Sequence, residues 1–172
     1  MSTQTLSEPR AGRSTITTAG SPARIALALA AQPALWRPAV RFDPAARVHT
    51  RIAAEADWEA WLLTWLPGQG TDIHDHGGSA GALLPLRGVL SEWTPGGTGR
   101  LGRAFRPGRT RRLRGGDLRA FGSDHVHRVR NDADAPAVSL HVYAPRLESM
   151  TRYALVEGRL VPLSTERAGA DW

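Results

Sequence analysis

The chain has 172 residues, 41% of them apolar, and no cysteine. That allows one domain with a real core and excludes disulfides, thiolate-bound zinc and a cysteine nucleophile. Its formal charge is +6 and all 22 basic residues are arginine; the densest stretch, Arg103–Arg114, is broken by Gly and Pro and holds one aromatic, Phe105, so it offers neither a recognition helix nor a stacking platform for nucleic acid. No apolar run approaches the roughly eighteen residues of a spanning helix, and Ile25–Ala31 starts too late and lacks the cleavage pattern of a secretory signal, so neither membrane nor nucleic-acid partners are expected and a cytoplasmic protein is.

Met1 to Ser21 is rich in Ser, Thr, Gly and Arg without periodicity and reads as a disordered lead-in; residues 22–172 are expected to form one domain. Pro22–Ala31 is predicted as a short helix, with Ser21 as N-cap and Pro22 in the first turn; Pro33 and Pro38 prevent a long continuation. After Val40 short apolar or alternating runs recur. Strands are predicted near Arg47–Ala53, Trp58–Leu66, Ala82–Trp93, Thr110–Leu113, Asp117–Phe121, Val126–Arg130, Val138–Tyr143, Tyr153–Glu157 and Arg159–Leu163. Pro67-Gly68, Pro95-Gly96-Gly97 and Gly115-Gly116 separate them, and Glu157-Gly158 reads as a tight hairpin turn. The fold class is all-β, a single-domain sandwich or small barrel behind a short N-terminal helix.

Six histidines are present, at 49, 74, 76, 125, 127 and 141. His74-Asp75-His76 puts two imidazoles at i and i+2, the spacing that shares one strand face and lets both reach one metal. Gly68, His74, His76 and Gly88 follow the order of the first motif of the cupins, the double-stranded β-helix or small jelly-roll barrels. His127-Arg128-Val129-Arg130-Asn131 resembles the end of their second motif, with Gly122 and Asp124 departing from the usual Pro and Gly. His125 and His127 share strand parity; the spacing to Asn131 favours His127 as the ligand and leaves His125 as a pocket-rim or surface residue. Gly81 stands where many cupins carry a metal-binding Glu. The site would then have three neutral imidazoles and no carboxylate, a donor set suited to Fe, Ni, Cu or Zn with positions open for an anionic ligand.

Ser139-Leu140-His141-Val142-Tyr143 alternates strictly, so Ser139, His141 and Tyr143 share a face and can form a hydroxyl–imidazole–phenol chain; the competing reading is a polar, solvent-facing strand side. His-Asp-His, then His-Arg-Val-x-Asn, then Ser-x-His-x-Tyr-x-Pro is the order found in the cysteine dioxygenase type I family, and the chain resembles it over about residues 47–146. The resemblance implies a cupin thiol dioxygenase that oxidises L-cysteine with O2 to cysteine sulfinic acid. It implies Fe(II) held by His74, His76 and His127, catalytic Ser139, His141 and Tyr143 with the Tyr143 hydroxyl facing substrate, and a cis bond between Ala144 and Pro145. Arg51, in His49-Thr50-Arg51, resembles the family's arginine for the substrate carboxylate, with Arg47 as the second choice; His49 stands where the family often has Tyr. Animal members carry at position 81 a cysteine crosslinked to the tyrosine; here Gly81 leaves Tyr143 an unmodified phenol. The alternatives are a dioxygenase of another small thiol such as 3-mercaptopropionate, from which Arg51 argues away, and a cupin that binds metal or a small molecule without catalysis. A monomer is expected.

Overall fold

The computed structural model describes residues 20–96 and 106–167, so the lead-in reading of the first 21 residues falls almost wholly outside the described part. Two helices, α1 (Pro22–Ala30) and α2 (Pro33–Trp36), and a 3-10 turn over Arg37–Ala39 precede eleven strands among the described residues. They are β1 (Val48–Ala54), β2 (Glu59–Trp65), β3 (Ile73–His74), β4 (Ala80–Arg87), β5 (Val89–Gly96), β6 (Arg106–Arg114), β7 (Arg119–Phe121), β8 (Arg128–Arg130), β9 (Ala137–Ala144), β10 (Ser149–Val156) and β11 (Arg159–Arg167). The strands form an antiparallel sheet in the order β1-β2-β9-β4-β7 and two three-stranded sheets, β11-β10-β3 and β6-β5-β8. No described helix is long and apolar enough to cross a membrane.

Ser21 occupies the N-cap position of α1 without a side-chain bond; its carbonyl instead accepts from Arg24 and Ile25. The helix buries Ile25, Ala26 and Leu29 on the outer face of the large sheet, against Ala60, Leu62, Ala82, Leu84, Val138, Leu140 and Val142. A second cluster, including Leu63, Trp65, Leu83, Leu90, Leu113, Val129 and Ala137, fills the interior between sheets. The central strands are therefore buried on both faces. Strand β9 is buried at every residue from Ala137 to Tyr143, its Leu140 and Val142 under α1 and its Ser139, His141 and Tyr143 inward. Solvent exposure of that polar face, the competing reading, is excluded.

The single strand predicted over Ala82–Trp93 is two, because Gly88 takes a φ of 80° and turns the chain. The hairpin at Glu157-Gly158 has φ of 47° and 72°, the left-handed pair that a tight antiparallel connection requires. Strand β6 pairs with β5 alone among the described residues, and its Arg109, Arg111, Arg112 and Arg114 are exposed, a solvated edge that discourages edge-to-edge pairing; Arg103 lies outside the described residues.

Candidate metal centre

Two distant segments meet where His74 and His127 exchange backbone hydrogen bonds, His74 N–H to the His127 carbonyl at 2.9 Å and the reverse at 3.0 Å. Between the first two histidines, Asp75 points away from them and anchors the segment on β10. Its Oδ1 accepts the Thr151 and Gly77 N–H groups at 3.0 and 3.1 Å, and its Oδ2 accepts the Tyr153 hydroxyl at 2.6 Å. With Asp75 tied outward, His74 and His76 turn the other way. Their rings lie 5.1 Å apart and stand 4.7 and 4.9 Å, respectively, from that of His127. One nitrogen from each of the three lies within 4.8 Å of the others, and all three side chains are buried.

Hydrogen bonds assign the tautomers of two of them. His74 Nδ1 donates to the Asp72 carbonyl at 2.9 Å, and His127 Nδ1 donates to Glu92 Oε1 at 3.0 Å. Each Nε2 is then the lone-pair nitrogen available to a metal. His76 is fully buried against Phe121 and Tyr143, and neither of its ring nitrogens has a hydrogen-bond partner. A buried polar group without a partner is expensive, and a metal ion at the convergence point would satisfy it. The donor set therefore fits a first-row divalent metal such as iron.

Burial, first, and the neighbouring imidazoles hold the pKa of His74 and of His76 well below 6.5; burial also lowers His127, against the pull of Glu92, and takes His141 to about 3. All four are neutral at neutral pH, as metal binding needs. For the metal-free protein the sign follows. Below about pH 6.5 the unfolded chain takes up protons that the folded one refuses, so stability is full above that pH and is lost as pH falls toward 3. The limiting slope is about 1.4 kcal/mol per pH unit for each histidine. Thermal unfolding of metal-free protein should show a clearly lower midpoint near pH 5.5 than near pH 7.5; equal midpoints would contradict the burial argument.

The inward side chains of β9 are backed by β2, with Leu63 opposite Ser139, Trp61 opposite His141 and Glu59 opposite Tyr143. Trp65 adds a member that the sequence did not reveal: its Nε1–H donates to Ser139 Oγ at 2.9 Å. An indole N–H can only donate, so Ser139 Oγ accepts there and keeps its own hydrogen; His141 Nε2 lies 2.9 Å from the same oxygen. On the other side of the ring His141 Nδ1 lies 3.4 Å from the Tyr143 oxygen, so hydroxyl, imidazole and phenol stand in one row. Burial pushes the Tyr143 pKa up, so the phenol stays protonated. The Ala144–Pro145 bond that follows is cis.

Opposite Tyr143 across the β4–β9 pair sits Gly81. A Cβ there would come within 2.6 Å of the Phe121 ring and 2.9 Å of the Val142 carbonyl. Phe121, stacked on His76 at 4.9 Å, thus fills the space a glutamate would need. Gly81→Ala should cost about 1–3 kcal/mol by overpacking, measurable as a lower urea midpoint at unchanged m-value.

Two of the three rings, those of His74 and His127, with His76 buried behind them, border a cavity of about 160 Å³, lined among others by Arg47, His49, Trp61, His141, Tyr143, Met150 and Arg152. That is well below the roughly 300–1,000 Å³ of drug-sized pockets and suits an amino-acid-sized ligand. The arginines divide differently from the sequence expectation. Arg51, within β1, does not line the cavity, whereas Arg47 stands one residue before that strand; Arg51 is exposed, lies over Trp61 and pairs with Glu59 at 3.6 Å. Arg152 lines the cavity but is neutralised by Asp72 and Glu166. Arg47 lies over Trp65 with no carboxylate partner among the described residues, and its Nε and Nη1 are buried without a hydrogen-bond partner. Burial lowers its pKa, as expected of a desolvated cation. The unspent donors for a carboxylate are therefore those of Arg47. His49 also lines the cavity, its ring 5.9 Å from that of Trp61. His125 is corrected from a rim or surface residue: it sits half-buried behind His127, bonded to Glu92 at 2.9 Å.

With this geometry in hand, the similarities to known proteins are specific. The model of the family described as Cysteine dioxygenase type I matches residues 16–155. No curated protein matches the chain. Among solved structures, a Thermus thermophilus protein is 24% identical with a TM-score of 0.53, covering 64% of this chain and 93% of its own. A Klebsiella pneumoniae protein with a double-stranded β-helix domain is 17% identical with a TM-score of 0.51, covering 74% and 93%. A sugar phosphate isomerase from a cupin superfamily, of Silicibacter pomeroyi, is 20% identical with a TM-score of 0.50, covering 73% and 79%. These structures show the fold, a single-domain cupin. The family match, spanning most of the sequence and both histidine segments, goes further: the chain belongs to the cysteine dioxygenase type I family, cupin enzymes that are metal-dependent thiol dioxygenases.

Proposed function

We propose that this protein oxidises L-cysteine with O2 to cysteine sulfinic acid, using Fe(II) held by His74, His76 and His127, as a cytoplasmic enzyme of cysteine catabolism. The observation that carries the reading is a shared site: two imidazoles of a buried three-histidine cluster, a phenol and a cation with unspent donors border one small space, and the third imidazole, His76, stands directly behind. The chemistry supplied by bound Fe(II) is deprotonation of the thiol and activation of O2 toward sulfur. The residues of the chain do the rest. Arg47 grips the substrate carboxylate with two parallel hydrogen bonds and sets the orientation of the thiol. Tyr143, its hydroxyl turned into the cavity by His141 and Ser139, donates a hydrogen bond to the reacting oxygen and holds a proton there. In this reading Ser139, one lone pair taken by Trp65, donates its hydrogen to His141 Nε2; the His141 hydrogen then sits on Nδ1 and the phenol O–H is free for the cavity. The thiol supplies all four electrons, so both oxygen atoms end on sulfur and no external reductant enters.

Aerobic incubation of iron-loaded protein with L-cysteine, 3-mercaptopropionate or cysteamine, with O2 uptake and sulfinate measured together, tests the reading. Cysteine should consume one O2 per sulfinate formed. Turnover restricted to 3-mercaptopropionate would move the activity to another thiol, and no uptake with any thiol would leave a binding cupin.

A further inference from the structure

Behind His127, on the side away from the cavity, lies a polar cluster that the chemistry above does not use. Glu92 is 1% exposed, in β5 at an inward position next to that of Leu90. An ionised carboxylate buried there is costly unless its lone pairs are filled. Three donors fill them: His127 Nδ1 at 3.0 Å and His125 Nε2 at 2.9 Å on Oε1, and Arg119 Nε at 2.9 Å on Oε2. Burial alone would raise the carboxyl's pKa, but the bonds from His125 and His127 overcome it and hold the group far below the usual carboxylate range. His125 also stacks on Phe121 at 4.5 Å, and Phe121 stacks on His76. The cluster therefore braces two of the three candidate ligands at once.

Glu92, His125 and His127 are themselves close enough to hold a cation. That reading fails on the contacts: the carboxylate oxygens already receive ring N–H groups, and the Arg119 guanidinium sits where a second positive ion would be repelled.

We propose that Glu92 is a positioning residue for the metal, acting through His127. It keeps the hydrogen of His127 on Nδ1 and passes negative charge through the ring to the metal, while His125 and Arg119 keep the carboxylate ionised and aimed. The inference rests on the reading that His74, His76 and His127 hold the metal. It changes the charge account of the site: the carboxylate missing at Gly81 is present one bond further out, on the far side of a histidine.

The test uses the full-length protein and Glu92→Gln, first metal-free and then titrated with Co(II), followed by visible absorption. Azide is then titrated into each cobalt-saturated protein. E92Q should bind Co(II) about 10- to 100-fold more weakly than wild type. With negative charge withdrawn from the metal, E92Q should bind azide several-fold more tightly, a change that a merely structural role would not produce. Wild type failing to bind Co(II) would overturn the metal-centre reading and this inference with it. Wild type binding while E92Q binds equally well would overturn only the inference. Weaker Co(II) with unchanged azide affinity would overturn the transfer of charge. If E92Q does not fold, His125→Phe keeps a ring on Phe121 and leaves Oε1 to His127 alone; azide should then bind more weakly than to wild type, and unchanged binding counts against the proposal.

Discussion

Replacing His76 with leucine should stabilise the metal-free protein while abolishing both its response to metal and its thiol oxidation. The reason is the cost of the residue as it stands. His76 is fully buried with both ring nitrogens unpartnered. An unsatisfied buried polar group costs about 1–3 kcal/mol, whereas an apolar side chain of similar size between Phe121 and Tyr143 costs nothing of that kind. The gain should appear as a rise of several degrees in the metal-free unfolding midpoint. In wild type, metal at a hundredfold excess over its Kd adds about 2.7 kcal/mol by mass action. In the variant that shift should vanish, and O2 uptake with cysteine should fall to background. A metal-free variant less stable than wild type would mean that His76 is a satisfied core residue. A retained metal shift would mean that it is not a ligand.

The second large effect separates two arginines four residues apart in the sequence. Arg47→Gln should lower kcat/KM for cysteine by roughly 10- to 100-fold, the loss of a charge-assisted pair of about 1.5–3 kcal/mol. The same substitution should leave cysteamine, which has no carboxylate, nearly unchanged. Arg51→Gln should alter cysteine turnover little, because that guanidinium is exposed and already paired with Glu59. Oxygen uptake across the two variants and two substrates measures all four values. A larger loss in R51Q than in R47Q would return the carboxylate to Arg51. Equal losses of cysteine and cysteamine in R47Q would show Arg47 acting on the site as a whole, not on the carboxylate.

The two arginines are hard to tell apart in the sequence. Arg47, His49 and Arg51 are spaced by two, so alternation assigns them to one face and cannot choose among them. What separates them is burial: Arg47 packs over Trp65 with buried, unpartnered donors, and Arg51 is exposed and paired with Glu59. That difference follows from which side chains each arginine packs on, Trp65 or Trp61, and alternation does not encode it. The polar face of β9 was legible because strict alternation is a local signal. That Leu140 and Val142 would also be buried depended on α1 packing on the outside. Strand β3 escaped because it is two residues long and exists only through its partners, Arg152-Tyr153 on one side and His127 on the other. Glu92 had a signal that could have been used. It falls in step with Leu90 in a strand, at a position whose neighbours face the core, and a carboxylate in such a register needs donors from elsewhere in the chain. Two histidines and an arginine supply them, from residues far along the sequence.

The anchoring of Asp75 gives the last hairpin a role beyond its own stability. Strands β10 and β11 contribute no imidazole, yet Thr151 and Tyr153 grip the residue between the first two of them, and Arg152 faces His74 across the pairing. A truncation ending before Ser149 would spare every proposed donor and still cut away the scaffold that aims two of them. Shortening the chain from its tail should therefore be read as surgery on the candidate metal centre.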